Sequence, residues 1–191
     1  MTPVRFLVAL LLLAPAAATA EDAPLYASFQ KFCVATGGTP VAVEDAMEAA
    51  GGKMRSAPDD SEPGSAVSIA AWDYRAGGED MTIVAGTERI PAQGGVLRDA
   101  TACVIEAQAR DDAGAFAIRQ WVGVPPSHVQ SGDTLVTRFD FRVAGGVRTA
   151  APVDRAAYGD AAAAGQIWSL ILRQSQTLTS VHLIHIVPEQ P

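Results

Sequence analysis

The stretch TLVTRFDFRV, residues 134–143, alternates strictly between apolar and polar positions, and this alternation predicts a β-strand. Its apolar positions share one face of the strand: Leu135, Phe139, Phe141 and Val143. Its charged positions share the other: Arg138, Asp140 and Arg142. Strands of this kind are typical of antiparallel sheets covered on one side. The three charged residues are therefore a candidate exposed binding face, and the alternative is a solvated sheet face with cross-strand ion pairs.

Further short apolar segments, separated by turns, indicate five more strands: 66–74, 81–87, 100–108, 166–173 and 178–187. Two of the turns, AGGED at 76–80 and PAQGG at 91–95, have the glycine content that hairpins require. The last segment is apolar on both faces, which predicts a central strand or one that lies beneath a helix.

A period of 3.6 residues predicts helices at 24–35, 40–50, 111–122 and 155–164. The first of them places four apolar side chains on one face: Leu25, Phe29, Phe32 and Cys33. In the third, the residues expected to share a face are Phe116, Ala117, Gln120 and Trp121. We predict an α+β fold with a mostly antiparallel sheet of five to six strands, and with the N-terminal helices and one or two inserted helices packed on one face.

Two segments lie outside this pattern. Residues 53–65 are polar, carry two prolines and show no periodicity, so an exposed loop is expected there. Residues 1–20 combine Arg5, an apolar run and an Ala-x-Ala ending, which is typical of a signal peptide. We predict cleavage between Ala20 and Glu21, export to the periplasm or beyond, and a single domain over 21–191. The apolar run is too short to span a membrane, so the alternative of an uncleaved anchor is disfavoured.

Export changes the interpretation of the two cysteines, Cys33 and Cys103. An oxidising compartment favours a disulfide, which would join the first helix to the third predicted strand. Two free buried thiols and a catalytic thiol are the alternatives. A redox site of the Cys-x-x-C type has no counterpart in the sequence.

The net charge of the chain and its sequence motifs limit the partners and activities that we expect. The chain has 14 Lys and Arg against 21 Asp and Glu, a net charge of −7, which argues against nucleic acid and anionic membranes as partners. No G-x-S-x-G or Walker A motif is present, and we expect no cofactor. His182 and His185 would point to opposite sides of a strand, so we expect no metal site from this pair.

Several stretches together resemble small, uncharacterised exported proteins of Alphaproteobacteria that carry two cysteines: YASFQKFCVATGG at 26–38, ATACVIEAQ at 100–108, WVGVPP at 121–126 and YGDAAAAGQIW at 158–168. The resemblance implies a periplasmic location and the disulfide, and it implies no activity. We therefore expect a non-catalytic envelope protein that binds a partner protein or a small ligand. The alternative is a periplasmic hydrolase with a dispersed site that uses His182 or His185.

Overall fold

The computed structural model of the chain describes residues 23–55, 68–91 and 97–188. Helix α1 (Pro24–Ser28) continues directly into a π-helical segment (Phe29–Val34), and the other helices are α2 (Pro40–Ala49), α3 (Asp112–Val122) and α4 (Arg155–Ala163). Asp111 and Asp154 cap α3 and α4, because each accepts a hydrogen bond from a backbone N–H group in the first turn of its helix. The signal peptide predicted at 1–20 lies outside the described residues.

The strands form one antiparallel sheet. They are β1 (Lys53–Met54), β2 (Ser68–Ala76), β3 (Glu79–Pro91), β4 (Leu97–Ala107), β5 (His128–Gln130), β6 (Leu135–Ala144), β7 (Val147–Ala150), β8 (Ile167–Gln174) and β9 (Thr179–Ile186). Their order across the sheet is β1-β2-β3-β4-β9-β8-β6-β5, and β7 also pairs with β6. The C-terminal strand β9 is central, as its two apolar faces predicted.

The α+β class is confirmed, but the predicted number of five to six strands is too low, since the described ranges contain nine. The six predicted strands are all present, and the additional ones are β1, β5 and β7. These three have two to four residues each, which is too short for a hydrophobic period to show. The expected loop at 53–65 is wrong at its start, where Lys53 and Met54 pair with β2, and residues 56–65 lie outside the described part.

One face of the sheet, here called the inner face, is covered by α1, the π segment, α2 and α3. Register pairs bring its large side chains into rows, such as Trp72 with Ile83 and Leu170 with Leu183. Against these rows lie the fully buried Phe29, Phe32 and Ile118 of the helices, among others. This continuous apolar core is the main source of stability.

The disulfide between Cys33 of the π segment and Cys103 of β4 is confirmed, and it crosses the interface between helices and sheet. The two Cα atoms are 5.5 Å apart, and both residues are completely buried. Because 70 positions separate them in the sequence, the bond constrains a large part of the chain.

Helix α4 packs on the opposite face, here called the outer face, so of the two inserted helices only α3 shares the inner face with the N-terminal helices. Its buried Ala161 and Ala162 contact Ile167 and Ile186, whose side chains alternate away from the inner face. Because the apolar residues of α4 are mostly alanine, its hydrophobic periodicity is weak. This periodicity does not indicate which face of the sheet the helix covers. No helix within the described ranges is long and apolar enough to cross a membrane.

Candidate binding site

The candidate site is a cleft at the edge of β6, here called the Arg138 cleft. Strand β5 pairs with β6 up to Arg138, and β7 pairs with it from Phe141 onward, on the same edge. The two neighbouring chain segments therefore diverge around Asp140 and leave an open cavity of about 600 Å³. This volume lies within the range of about 300 to 1,000 Å³ that is usual for small-molecule sites.

Local sequence explains how the walls of the cleft are placed. Gly123 ends α3 in the left-handed conformation, and Pro125 and Pro126 then prevent the helix from continuing. The chain turns onto β6, where the Ser127 N–H donates to the Arg138 carbonyl at 2.8 Å. The opposite wall is the segment that links β7 to α4. Apolar surface on the two walls comes from four residues: Pro125, Pro126, Pro152 and Val153.

The carboxylate of Asp140 is the centre of the polar part of the cleft. It accepts hydrogen bonds from the Ser127 hydroxyl at 2.7 Å, from Arg138 Nε at 2.9 and 3.0 Å, and from the Ser169 hydroxyl. Burial raises the pKa of Asp140, but the hydrogen bonds from Arg138, Ser169 and Ser127 outweigh burial and bring the pKa below its usual value. Asp140 is therefore ionised at neutral pH and is held in one orientation.

The other polar side chains of the cleft include Arg138, which can only donate hydrogen bonds, and Tyr158, whose hydroxyl can donate or accept. Arg138 Nη2 lies 2.9 Å from Asp140 Oδ1, whereas Nη1 has no hydrogen-bond partner within the described part of the chain. The Arg138 side chain is 48% exposed, against 24% for Asp140. Burial, followed by the negative charge of Asp140, raises the pKa of Tyr158, so its phenol remains protonated. Among the described residues, that hydroxyl too has no hydrogen-bond partner.

The predicted binding face is only partly brought together. Arg138 and Asp140 lie in the cleft, whereas Arg142 is half-buried, donates from Nε to Gln166 Oε1 at 2.7 Å and is not among the residues that line it. Sequence reasoning missed three groups of the site: Ser127, Tyr158 and Ser169. They come from three separate elements, and only the WVGVPP turn before Ser127 gave a local signal of a change in chain direction.

His182 and His185 lie on opposite faces of β9, as their spacing predicted. The His185 ring stacks on Trp168 with a centroid distance of 4.0 Å, and its Nε2 lies 2.8 Å from the Gly165 carbonyl oxygen. His182 is on the outer face beside Ser180, 3.4 Å from the hydroxyl. Burial and then the charge of Arg173 lower the pKa of His182 to about 4. Within residues 23–55, 68–91 and 97–188, no group of three His, Cys, Asp or Glu side chains could hold a metal ion.

Other cavities are less suited to ligand recognition. One of about 420 Å³ lies beside the β2–β3 hairpin, and three of its charged side chains are in ion pairs: Arg75 with Asp80, and Asp73 with Arg55. Another, of about 210 Å³, is a mostly apolar trough on the outer face above Gly86 and Ala102. The Arg138 cleft combines the larger volume with polar groups that lack partners.

The chemistry of the cleft favours binding over nucleophilic catalysis. Ser127 and Ser169 donate to Asp140, whose lowered pKa makes it a weak base. A serine nucleophile needs a partner that accepts its proton during attack, and an ionised carboxylate held by several donors does this poorly. What the arrangement provides is a guanidinium held by Asp140 and a phenol, which belong to two of the residues that line an open cavity.

No protein-family model, curated protein or solved structure matches this chain in the comparisons. The functional interpretation therefore rests on the geometry of the site.

Proposed function

We propose that the protein is exported to the periplasm and acts there, without catalysis, as a disulfide-stapled envelope protein that binds a small ligand or a partner protein in the Arg138 cleft. The observation that carries this proposal is the fixed Asp140–Arg138 pair, which leaves Arg138 Nη1 without a partner in an open cavity of about 600 Å³. Because Asp140 already orients the guanidinium, a ligand loses little free energy in ordering it.

The location is supported by the residues at the start of the chain and by the cysteines. The signal-peptide pattern at 1–20 and the resemblance to exported alphaproteobacterial proteins both favour the periplasm. The Cys33–Cys103 disulfide is compatible with that compartment. N-terminal sequencing of protein from the periplasmic fraction should begin at Glu21.

The binding function is tested by protein-observed NMR with a library of small neutral and charged fragments. Fragments that bind should shift the amide signals of Ser127, Arg138 and Tyr158. Arg138→Gln removes the charged donor and should weaken these fragments by about tenfold or more. The matched control is Arg89→Gln, which removes a surface arginine paired with Asp99 at 2.9 Å outside the cleft.

Two results would contradict the proposal. In the first, fragments bind only elsewhere on the surface or not at all. In the second, a screen of ester, peptide and glycan substrates reveals turnover that is lost on His182→Ala or His185→Ala. That second result would establish the hydrolase alternative instead.

A further inference from the structure

We propose that the Arg138 cleft binds a proline-rich peptide segment of a partner protein through its backbone carbonyl groups. This proposal rests on the binding function proposed above and specifies its ligand. It follows from the unused hydrogen-bonding groups of the cleft, from its charge, and from its walls.

The unused groups select a ligand that accepts hydrogen bonds. Arg138 Nη1 and the Tyr158 hydroxyl line the cleft without a partner in the described part of the chain, and both can donate. The carboxylate that could accept, Asp140, is already occupied by Ser127, Arg138 and Ser169. A ligand N–H in the cleft would therefore find no free side-chain carboxylate, and only the Tyr158 hydroxyl and backbone carbonyls could receive it.

The charge distribution favours a neutral acceptor over an anion. The charge of Arg138 is offset by Asp140, whose Oδ1 is 2.9 Å from Nη2, so the pair carries no net charge. The chain as a whole has a net charge of −7, which opposes the approach of anions. A peptide carbonyl fits these conditions, because it is a strong acceptor without a formal charge.

The walls match the rings of proline. Pro125, Pro126 and Pro152 line the same open cleft as Tyr158 and give its walls apolar surface. Proline has no backbone N–H, and proline-rich segments are extended before binding, with carbonyls directed outward. Such a segment offers acceptors to Arg138 and Tyr158, presents no N–H that needs a partner, and loses little conformational entropy.

The test is a titration of the full mature chain with a blocked peptide of six prolines, acetylated at one end and amidated at the other. A blocked glycine-serine peptide of the same length is the comparator, and we expect it to bind about tenfold more weakly or worse. Because the ligand is neutral, raising NaCl from about 50 to about 500 mM should change the dissociation constant by less than about twofold.

Tyr158→Phe is the decisive variant, because it removes one donor and leaves no other group without its partner. It should weaken the proline peptide by about fivefold. Tyr74→Phe is the matched control, since Tyr74 lies against Phe32 on the inner face and should leave binding unchanged. Equal thermal unfolding midpoints for the two variants would show that both are folded.

The outcomes separate the two proposals. If acetate or inorganic phosphate binds in the cleft in a salt-dependent manner and the proline peptide does not, the ligand class is wrong while the binding function stands. Binding of the proline peptide that Tyr158→Phe leaves unchanged, or that maps outside the cleft, would also overturn the ligand class. If neither the peptide nor any fragment shifts Ser127, Arg138 or Tyr158, both proposals fail.

Discussion

Replacing His182 with phenylalanine should remove much of the loss of folding stability that accompanies acidification from pH 6.5 to pH 4. The ring lies on the outer face of β9, between Val104 of β4 and Ile171 of β8 in the register. Charged side chains on that face include Arg173 and Glu106, each diagonal to it across a strand pair, and Glu88, which lines the same trough. Burial and then Arg173 lower its pKa to about 4, so the folded protein holds the neutral ring.

The sign follows from proton binding. Between pH 6.5 and pH 4 the unfolded chain binds a proton at His182 and the folded chain does not, so protons favour unfolding in this window. The contribution of His182 is fully present above pH 6.5 and is lost as the pH falls toward 4. The difference between the two pKa values corresponds to about 3 kcal/mol, and partial exposure of the ring reduces our expectation to about 2 kcal/mol.

Urea denaturation at pH 7.5 and pH 4.5, followed by circular dichroism, measures this loss directly. The wild type should lose more stability over that interval than His182→Phe, by roughly the same 2 kcal/mol. His128→Phe, at an exposed position on β5, is the matched control for replacing a histidine by phenylalanine. Parallel stability curves for wild type and His182→Phe would refute the reasoning, since His182 would then not be kept neutral by the fold.

Three further substitutions test other contacts. Replacing Cys33 and Cys103 together by alanine should lower the free energy of unfolding by about 4 kcal/mol in a urea titration, and an unchanged midpoint would contradict this role. Arg148 stacks 3.9 Å from the centroid of the Trp121 ring and donates a hydrogen bond to the Trp121 carbonyl oxygen. Arg148→Ala should therefore lower the free energy of unfolding, measured by tryptophan fluorescence, by about 1 to 2 kcal/mol. A smaller loss would mean that the stacking contributes little to stability. Ala162→Asp would place an unpaired carboxylate beneath α4 and should cost about 3 kcal/mol or more by thermal unfolding; a neutral result would mean that α4 does not cover the outer face.

The large apolar side chains made much of the fold predictable. In the first helical segment, Leu25, Phe29 and Phe32 recur at helical spacing, and all three are fully buried. In α3 the predicted face is only partly buried, because Ala117 and Trp121 pack toward the core while Phe116 is 53% exposed. Ile118, which lies outside the predicted face, is completely buried. This helix carries two overlapping apolar stripes, and the contact with α1 decides which of them faces the sheet.

The site was predictable only where its residues share a strand. Arg138 and Asp140 alternate on β6, so their common face follows from the period of two. Tyr158 and Ser169 reach the cleft through the packing of α4 and the register of β8, in which Ser169 is opposite Asp140. The register of β8 and the face of the sheet that α4 covers are both set by long-range contacts. The sequence immediately around Tyr158 or Ser169 does not encode these contacts.

The position of β9 determines when the sheet can be completed during folding. Strands β1–β4 and β5–β8 are joined across the sheet through β9, which pairs with β4 on one side and with β8 on the other. Until residues 179–186 pair with both neighbours, the folding chain therefore consists of two incomplete sheets, each with an open edge. Such edges attract other chains, so a partly folded molecule in which β9 is not yet in place is prone to aggregate. Truncation within β9 should yield aggregates instead of a folded fragment.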